Sequence, residues 1–134
     1  MVSVYEGWKY PSVKVGPPTE RYLKLLASPQ TTSYEKASVA FSHLPPGGST
    51  GIHAHPDSDE IMYFVGRGEG MIGGEKVTIE TDSVMVAPMG IEHGCWNTSN
   101  SDTLKLFVVF IPPLEPAGAI ADLVEKTNEY LKGK

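Results

Sequence analysis

Two stretches, Gly47-Gly-Ser-Thr-Gly-Ile-His53-Ala-His55-Pro-Asp-Ser-Asp-Glu60 and Pro88-Met-Gly90-Ile-Glu-His93-Gly-Cys-Trp-Asn97, hold three of the four histidines in the chain and decide how the rest is read. Side chains alternate faces along an extended strand, so His53 and His55 project from one side and Ala54 from the other. Glu60 follows a short Pro-Asp-Ser-Asp turn, from which a neighbouring strand can bring it back to the same face. Three imidazoles and one carboxylate make a nitrogen and oxygen donor set suited to a divalent first-row metal. Four protein donors leave room for water or a substrate, which points to a working site rather than a structural clip.

Outward from these stretches, the chain is punctuated into short segments by 14 glycines and 11 prolines, as expected of an all-β protein. Residues 1–20, with Pro11, Pro17 and Pro18, read as an extended arm outside the core. Strands are expected at 21–27, 35–44, 49–55, 60–65, 70–72, 75–79, 83–87, 94–97 and 103–111. In 35–44 the alternation puts Ala37, Val39, Phe41 and His43 on one face and Ser38, Ala40, Ser42 and Leu44 on the other. Pro45-Pro46-Gly47-Gly48 then forces a turn. Gly73-Gly74, between Met71-Ile72 and Glu75-Lys76-Val77, is a two-residue hairpin signal. Pro112-Pro113 ends the last strand, because proline cannot donate to a ladder. Only about 117–131 has helical periodicity, with Ile120, Leu123, Val124, Thr127, Tyr130 and Leu131 forming an apolar stripe. Many short strands and one terminal helix suggest a β-barrel or double-sheet jelly roll.

Length and composition set the bounds. At 134 residues the expectation is one domain spanning 1–134, with its barrel core at about 21–113. The net charge of −5 and the lack of any basic run argue against nucleic-acid binding. No segment reaches the roughly 18 apolar residues needed to span a bilayer, so no membrane role is expected. The N-terminus has neither a basic nor an apolar leader region, and the single cysteine, Cys95, cannot form an intramolecular disulfide. A cytoplasmic location is expected.

The two motifs resemble those of the cupin superfamily, small jelly-roll β-barrels of the single-domain type. The first family motif runs Gly, five residues, His-x-His, three or four residues, Glu; Gly47, His53, His55 and Glu60 match it in order and spacing. Its closing glycine normally follows the glutamate after six residues, whereas this chain has Gly66 after five and Gly68 after seven, which suggests a one-residue shift. The second motif runs Gly, five residues, Pro-x-Gly, two residues, His, three residues, Asn. Pro88, Gly90, His93 and Asn97 match, and Asp82 stands where the family has its first glycine, a departure confined to a surface turn. The matching region covers roughly 47–97.

The resemblance implies that His53, His55, Glu60 and His93 bind one metal inside the barrel: manganese, iron, nickel, zinc or cobalt. It implies a small-molecule ligand in the barrel but does not choose the reaction, because this scaffold carries dioxygenases, decarboxylases, isomerases, epimerases, lyases and non-catalytic binders. The leading expectation is a metal-dependent enzyme of dioxygenase, isomerase, lyase or decarboxylase type acting on a small polar metabolite. The alternative is a binding or sensing module without turnover. Candidate acid/base groups beyond the ligands are few: His43, whose ordinary pKa suits proton transfer, and Tyr63. Met62, Phe64 and Met85 are expected either to line an apolar pocket or to fill the core. Cys95 reads first as a small core residue, and Asn97 as a residue that fixes a turn. Apolar residues on the outer face, the arm and the amphipathic tail together suggest a homodimer.

Overall fold

The computed structural model describes residues 3–134; Met1 and Val2, the start of the expected arm, lie outside the described residues. Among the described residues nine strands follow one another: β1 (Val13–Val15), β2 (Arg21–Ala27), β3 (Ser38–Leu44), β4 (Asp59–Val65), β5 (Gly68–Ile72), β6 (Glu75–Ile79), β7 (Val84–Ala87), β8 (His93–Asn97) and β9 (Leu104–Ile111). One helix, α1 (Ala119–Lys132), closes the chain. A six-stranded antiparallel sheet runs β1-β2-β3-β9-β4-β7, and a three-stranded one runs β6-β5-β8. Together they form the jelly roll that the strand pattern suggested.

Alternation decides what fills the space between the sheets. Met62 and Phe64 on β4, Met85 on β7, Cys95 on β8, and Leu104, Leu106, Val108 and Phe110 on β9 are all buried in one cluster. Met62, Phe64 and Met85 are therefore chiefly core filling. The opposite parity faces out, and along β4, β7 and β9 it carries Val65, Val84, Val86 and Phe107, all exposed. No helix among the described residues is long and apolar enough to cross a membrane.

Local sequence signals explain most boundaries. The Gly73-Gly74 pair sits at positive φ (56° and 84°) between Ile72 and Glu75, which face each other in the β5–β6 register, as a tight hairpin demands. Asp82 has φ 75°, a left-handed conformation that glycine adopts freely and that aspartate tolerates better than most residues. This is the physical content of the family's glycine there. The shifted closing glycine of the first motif falls in the turn between β4, which ends at Val65, and β5, which begins at Gly68.

Two expectations need correction. The arm is only partly extended: Gly7–Lys9 forms a single 3-10 turn, Tyr10 is buried against the Tyr130 ring, and Val13–Val15 pairs with β2. Its alternating Val13 and Val15, bounded by prolines, form a short edge strand that composition alone hid. Likewise 49–55 is not a continuous strand. It touches β8 through two isolated bridges, Ser49 with Trp96 and His53 with His93. One more residue lies between the bridges on this segment than on β8, which makes a bulge, and Gly51 there has φ 70°.

The close approach of this segment to β8 requires a glycine at position 94, where a Cβ would collide with the Gly51 carbonyl oxygen and lie 2.9 Å from the side chain of Ile52. Gly94→Ala is expected to lower unfolding stability by about 1–3 kcal/mol, the usual range for overpacking. Gly16→Ala, where nothing lies within 4 Å, should change it by less than about 0.5 kcal/mol. Urea unfolding of the two variants checks this; equal, small effects would remove the claim that β8 and the 49–53 segment are in forced contact.

Candidate metal centre

The bulged segment and β8 exchange both backbone hydrogen bonds at one residue pair, His53 N–H to His93 O and His93 N–H to His53 O, each 2.9 Å. Residues so paired carry their side chains on the same face, and His55 follows two residues on. The ring centroids of His53 lie 4.8 Å from His55 and 4.6 Å from His93. Glu60 comes from the facing six-stranded sheet, near the start of β4, where it pairs with Ala87 and Phe110 and points inward. One ligand atom from each of the four residues lies within 4.8 Å of the others. The structure thus brings the four residues named from the sequence together between the two sheets.

Hydrogen bonds orient the rings. Nδ1 of His53 lies 3.1 Å from the Gly51 carbonyl and Nδ1 of His93 lies 3.0 Å from the Ile91 carbonyl. A carbonyl only accepts, so both Nδ1 atoms carry the proton and donate. Holding the far nitrogen in this way is the usual second support of a metal-binding histidine. Nε2 of each ring is left to face the centre. For His93, Nε2 sits 2.7 Å from Glu60 Oε1, and His55 Nε2 sits 3.2 Å from the same oxygen. Two lone pairs cannot meet at 2.7 Å without a cation between them, so the His93–Glu60 contact calls for either a proton or a metal. That requirement, together with the N/O donor chemistry, fits a divalent transition metal.

Electrostatics agree. Burial pushes the Glu60 carboxyl upward, but hydrogen bonds from His55 and His93 outweigh burial and hold its pKa down at about 2, so it is an anion. Burial lowers the pKa of His53, which keeps that ring neutral and able to ligate. Burial alone would also lower His93, yet its hydrogen bond to Glu60 wins and the pKa is raised.

The other candidates fall elsewhere. His43 is on the outer face of β3, between Phe41 and Lys105, since it pairs with Tyr22 and Lys105 while the inward residues are Ser42 and Leu44. Tyr63 is on the outer face of β4 and donates to Asp82 in an exposed contact. Strand parity rules both out of contact with the cluster, so neither acts there as the proton carrier considered above. Cys95 is buried, and burial pushes its thiol up to about 12, leaving it an inert core group. Asn97 donates to the Leu44 and Asp102 carbonyls at 2.9 and 2.7 Å and accepts from the Ser99 N–H, so it fixes the β8–β9 turn.

What the sequence did not reveal is the cavity. A space of about 250 Å³ opens from His53, His55 and Glu60 toward β2, β3, β9 and α1, with Arg21, Ser42 and Ile120 in its wall. The register Leu23 opposite Ser42 sets Arg21, two residues before Leu23, on the same inner face. That signal was present in the alternation of 21–27 and 35–44, but it needed the pairing of β2 with β3 to be read.

Comparison with known proteins places these features in context. A model of the Cupin domain matches residues 40–110. Over 70 residues the chain is 37% identical to an oxalate-binding protein of Thermotoga maritima, covering 51% of this chain and 57% of that one. It is 27% identical over 95 residues to the polyketide synthase protein CurC of Streptomyces cyaneus, covering 70% and 60%. The chain therefore spans about 60% of the length of the curated relatives it matches. Among solved structures, a predicted oxalate decarboxylase from Thermotoga maritima superposes with a TM-score of 0.73 at 26% identity, over 82% of this chain and 99% of the other. KdgF from a Halomonas species superposes with a TM-score of 0.71 at 23% identity, over 86% and 97%, a likeness of fold.

The His93–Glu60 contact has a measurable consequence. Because the hydrogen bond to Glu60 raises the pKa of His93, metal uptake must displace a more firmly held proton, and metal affinity should fall as pH drops. Calorimetric titration with zinc in two buffers of different ionisation enthalpy is expected to reveal proton release that grows at lower pH. Glu60→Gln should weaken binding at least about tenfold, the low end of the effect of losing even an outer supporting group. Uptake without proton release, or unchanged by the substitution, would contradict the arrangement.

Proposed function

The chain belongs to the cupin family, whose model spans residues 40–110 of its 134, and on that premise we propose that it is a divalent-metal-dependent enzyme acting on a small polar metabolite. The observation that carries this reading is the opening of the four-residue donor set onto a cavity of about 250 Å³. That volume lies just below the range of roughly 300–1,000 Å³ that drug-sized ligands need, so the fitting molecule is small.

His53, His55, Glu60 and His93 would hold manganese, iron, nickel, zinc or cobalt. The bound ion would supply Lewis acidity or, as iron, dioxygen activation. The remaining work falls to the chain's own groups. The Gly51 and Ile91 carbonyls hold His53 and His93 in the tautomer that offers Nε2. Glu60 balances part of the cation's charge in a site largely shielded from water. The apolar walls from β9 and α1 limit water around the substrate.

The cavity holds no histidine, tyrosine or free carboxylate beyond the ligands among the described residues. This favours reactions in which the ion activates the substrate directly, of decarboxylase or dioxygenase type, over isomerisations that need a separate protein base. The likeness to an oxalate-binding protein and to a predicted oxalate decarboxylase supports a metabolite with oxygen donors. It also supports a second reading, a binding or sensing module in which the ion orients a ligand without turnover.

To separate the two, the protein is loaded singly with manganese, anaerobic iron, nickel, cobalt or zinc and incubated with oxalate and a panel of small oxo- and hydroxy-acids. Product formation is followed by carbon NMR and binding by calorimetry. The enzyme reading predicts turnover with at least one ion, lost in His93→Ala while the fold persists. Metal-dependent binding with no product across the panel would favour the sensing module.

A further inference from the structure

Two polar side chains in the cavity wall, one cationic and one neutral, keep hydrogen-bonding capacity that the metal centre does not use. Arg21 lines the cavity from β2, and Ser42 lines it from β3. Their register makes them diagonal neighbours on one inner face, since Leu23 pairs with Ser42. Such neighbours have their backbones about 7–8 Å apart, close enough for one ligand group to touch both side chains.

Each is left with unused hydrogen-bonding capacity. Ser42 is 6% exposed, and its hydroxyl has no hydrogen-bond partner among the described residues. A buried hydroxyl without a partner is unfavourable, and a ligand oxygen that reached it would remove that penalty. Arg21 donates through one guanidinium nitrogen to the Thr19 carbonyl at 2.9 Å, its only side-chain hydrogen bond among the described residues. Of the five N–H groups in a guanidinium, four are thus left over. Among the described residues no carboxylate lies within 4 Å of it, although Glu60 favours its charge from a longer range. Burial acts against its charge, so an anion brought into the cavity would meet a partly desolvated guanidinium, where a forked pairing with a planar acid group is strongest.

Apart from Thr50, whose hydroxyl already donates to the Gly51 carbonyl and accepts from the Cys95 N–H, the rest of the wall is largely apolar, with Leu23, Leu106, Val108, Phe110, Ile120 and Leu123. A doubly charged ligand with no hydrocarbon would set only polar groups against this apolar lining. We propose that the substrate is a small organic acid with an apolar body, its carboxylate docked on Arg21 and Ser42 and its far, oxygen-bearing end directed at His53, His55 and Glu60. The guanidinium offers two parallel N–H donors to the carboxylate, and the Ser42 hydroxyl donates to one of its oxygens. Arg21 and Ser42 are binding and orienting residues: they fix which end of the molecule meets the donor set.

This inference rests on the reading of the cavity as a substrate site, but its test does not require the metal. Calorimetry with hexanoate, hexanol and oxalate is run on the metal-free and the zinc-loaded protein, for the parent chain, Arg21→Met, Arg21→Lys and Ser42→Ala. Zinc stoichiometry and thermal unfolding are recorded for each. The expected result is hexanoate binding in both forms of the parent, weakened tenfold or more in Arg21→Met, partly restored in Arg21→Lys, and weakened several-fold in Ser42→Ala. Zinc uptake should stay at one per chain throughout, and hexanol should bind at least tenfold more weakly than hexanoate. Equal binding of hexanol and hexanoate, or hexanoate binding that Arg21→Met leaves unchanged, would overturn the proposal. So would oxalate binding that is tighter than hexanoate, dependent on zinc and insensitive to Arg21, because the acid group would then sit on the ion. If zinc fails to bind while hexanoate still does, the metal-enzyme reading falls and the carboxylate site stands.

Discussion

A carboxylate buried between two sheets needs a cation, and most of what is distinctive here follows from how Glu60 meets that need. In a poorly hydrated interior an uncompensated anion is very costly, so the chain brings three imidazoles to it from the facing sheet. Two of the three are locked by backbone carbonyls with Nε2 turned inward. A proton can bridge Glu60 and His93, but it satisfies only one pair of donors. A divalent ion satisfies all four at once, which is why the arrangement reads as a coordination site rather than a polar patch in the core.

The scaffold serves that convergence. The large sheet supplies Glu60, the small sheet and the bulged segment beside it supply the histidines, and an apolar core of β4, β7, β8 and β9 residues fixes the separation of the sheets. Three of the four donors, His53, His55 and Glu60, also line the cavity, and Phe110 belongs both to its wall and to the core. Helix α1 forms part of that wall through Ile120 and Leu123, although it contributes no ligand. Loss of packing between the helix and β2 would therefore alter the cavity without touching the metal ligands.

The fold and the donor set were largely legible in the sequence because both rest on local rules. Alternation placed His53 with His55 and set Ser42 and Leu44 opposite His43; paired glycines and prolines marked the turns. What stayed hidden depends on which strand lies beside which. The role of Arg21 needed the β2–β3 register, the exclusion of His43 needed to be known from which face of β3 met the interior, and the bulge at 49–53 needed the count of residues between two bridges to β8. The short strand Val13–Val15 was missed because three residues between prolines carry too little periodicity to outweigh an extended arm. Asp82 looked like a departure from the family pattern, and its positive φ shows that the backbone requirement is kept while the residue type changes.

The convergence of His53, His55, Glu60 and His93 predicts that one cation joins them. Its most direct test is an anomalous difference map from crystals of the protein soaked with cobalt and measured on both sides of the metal absorption edge. A single peak per chain within coordination distance of three imidazole nitrogens and one Glu60 oxygen, with at least one coordination position facing the cavity, is the predicted result. No peak among these residues, or a peak held by other groups with the four side chains left apart, would contradict the account.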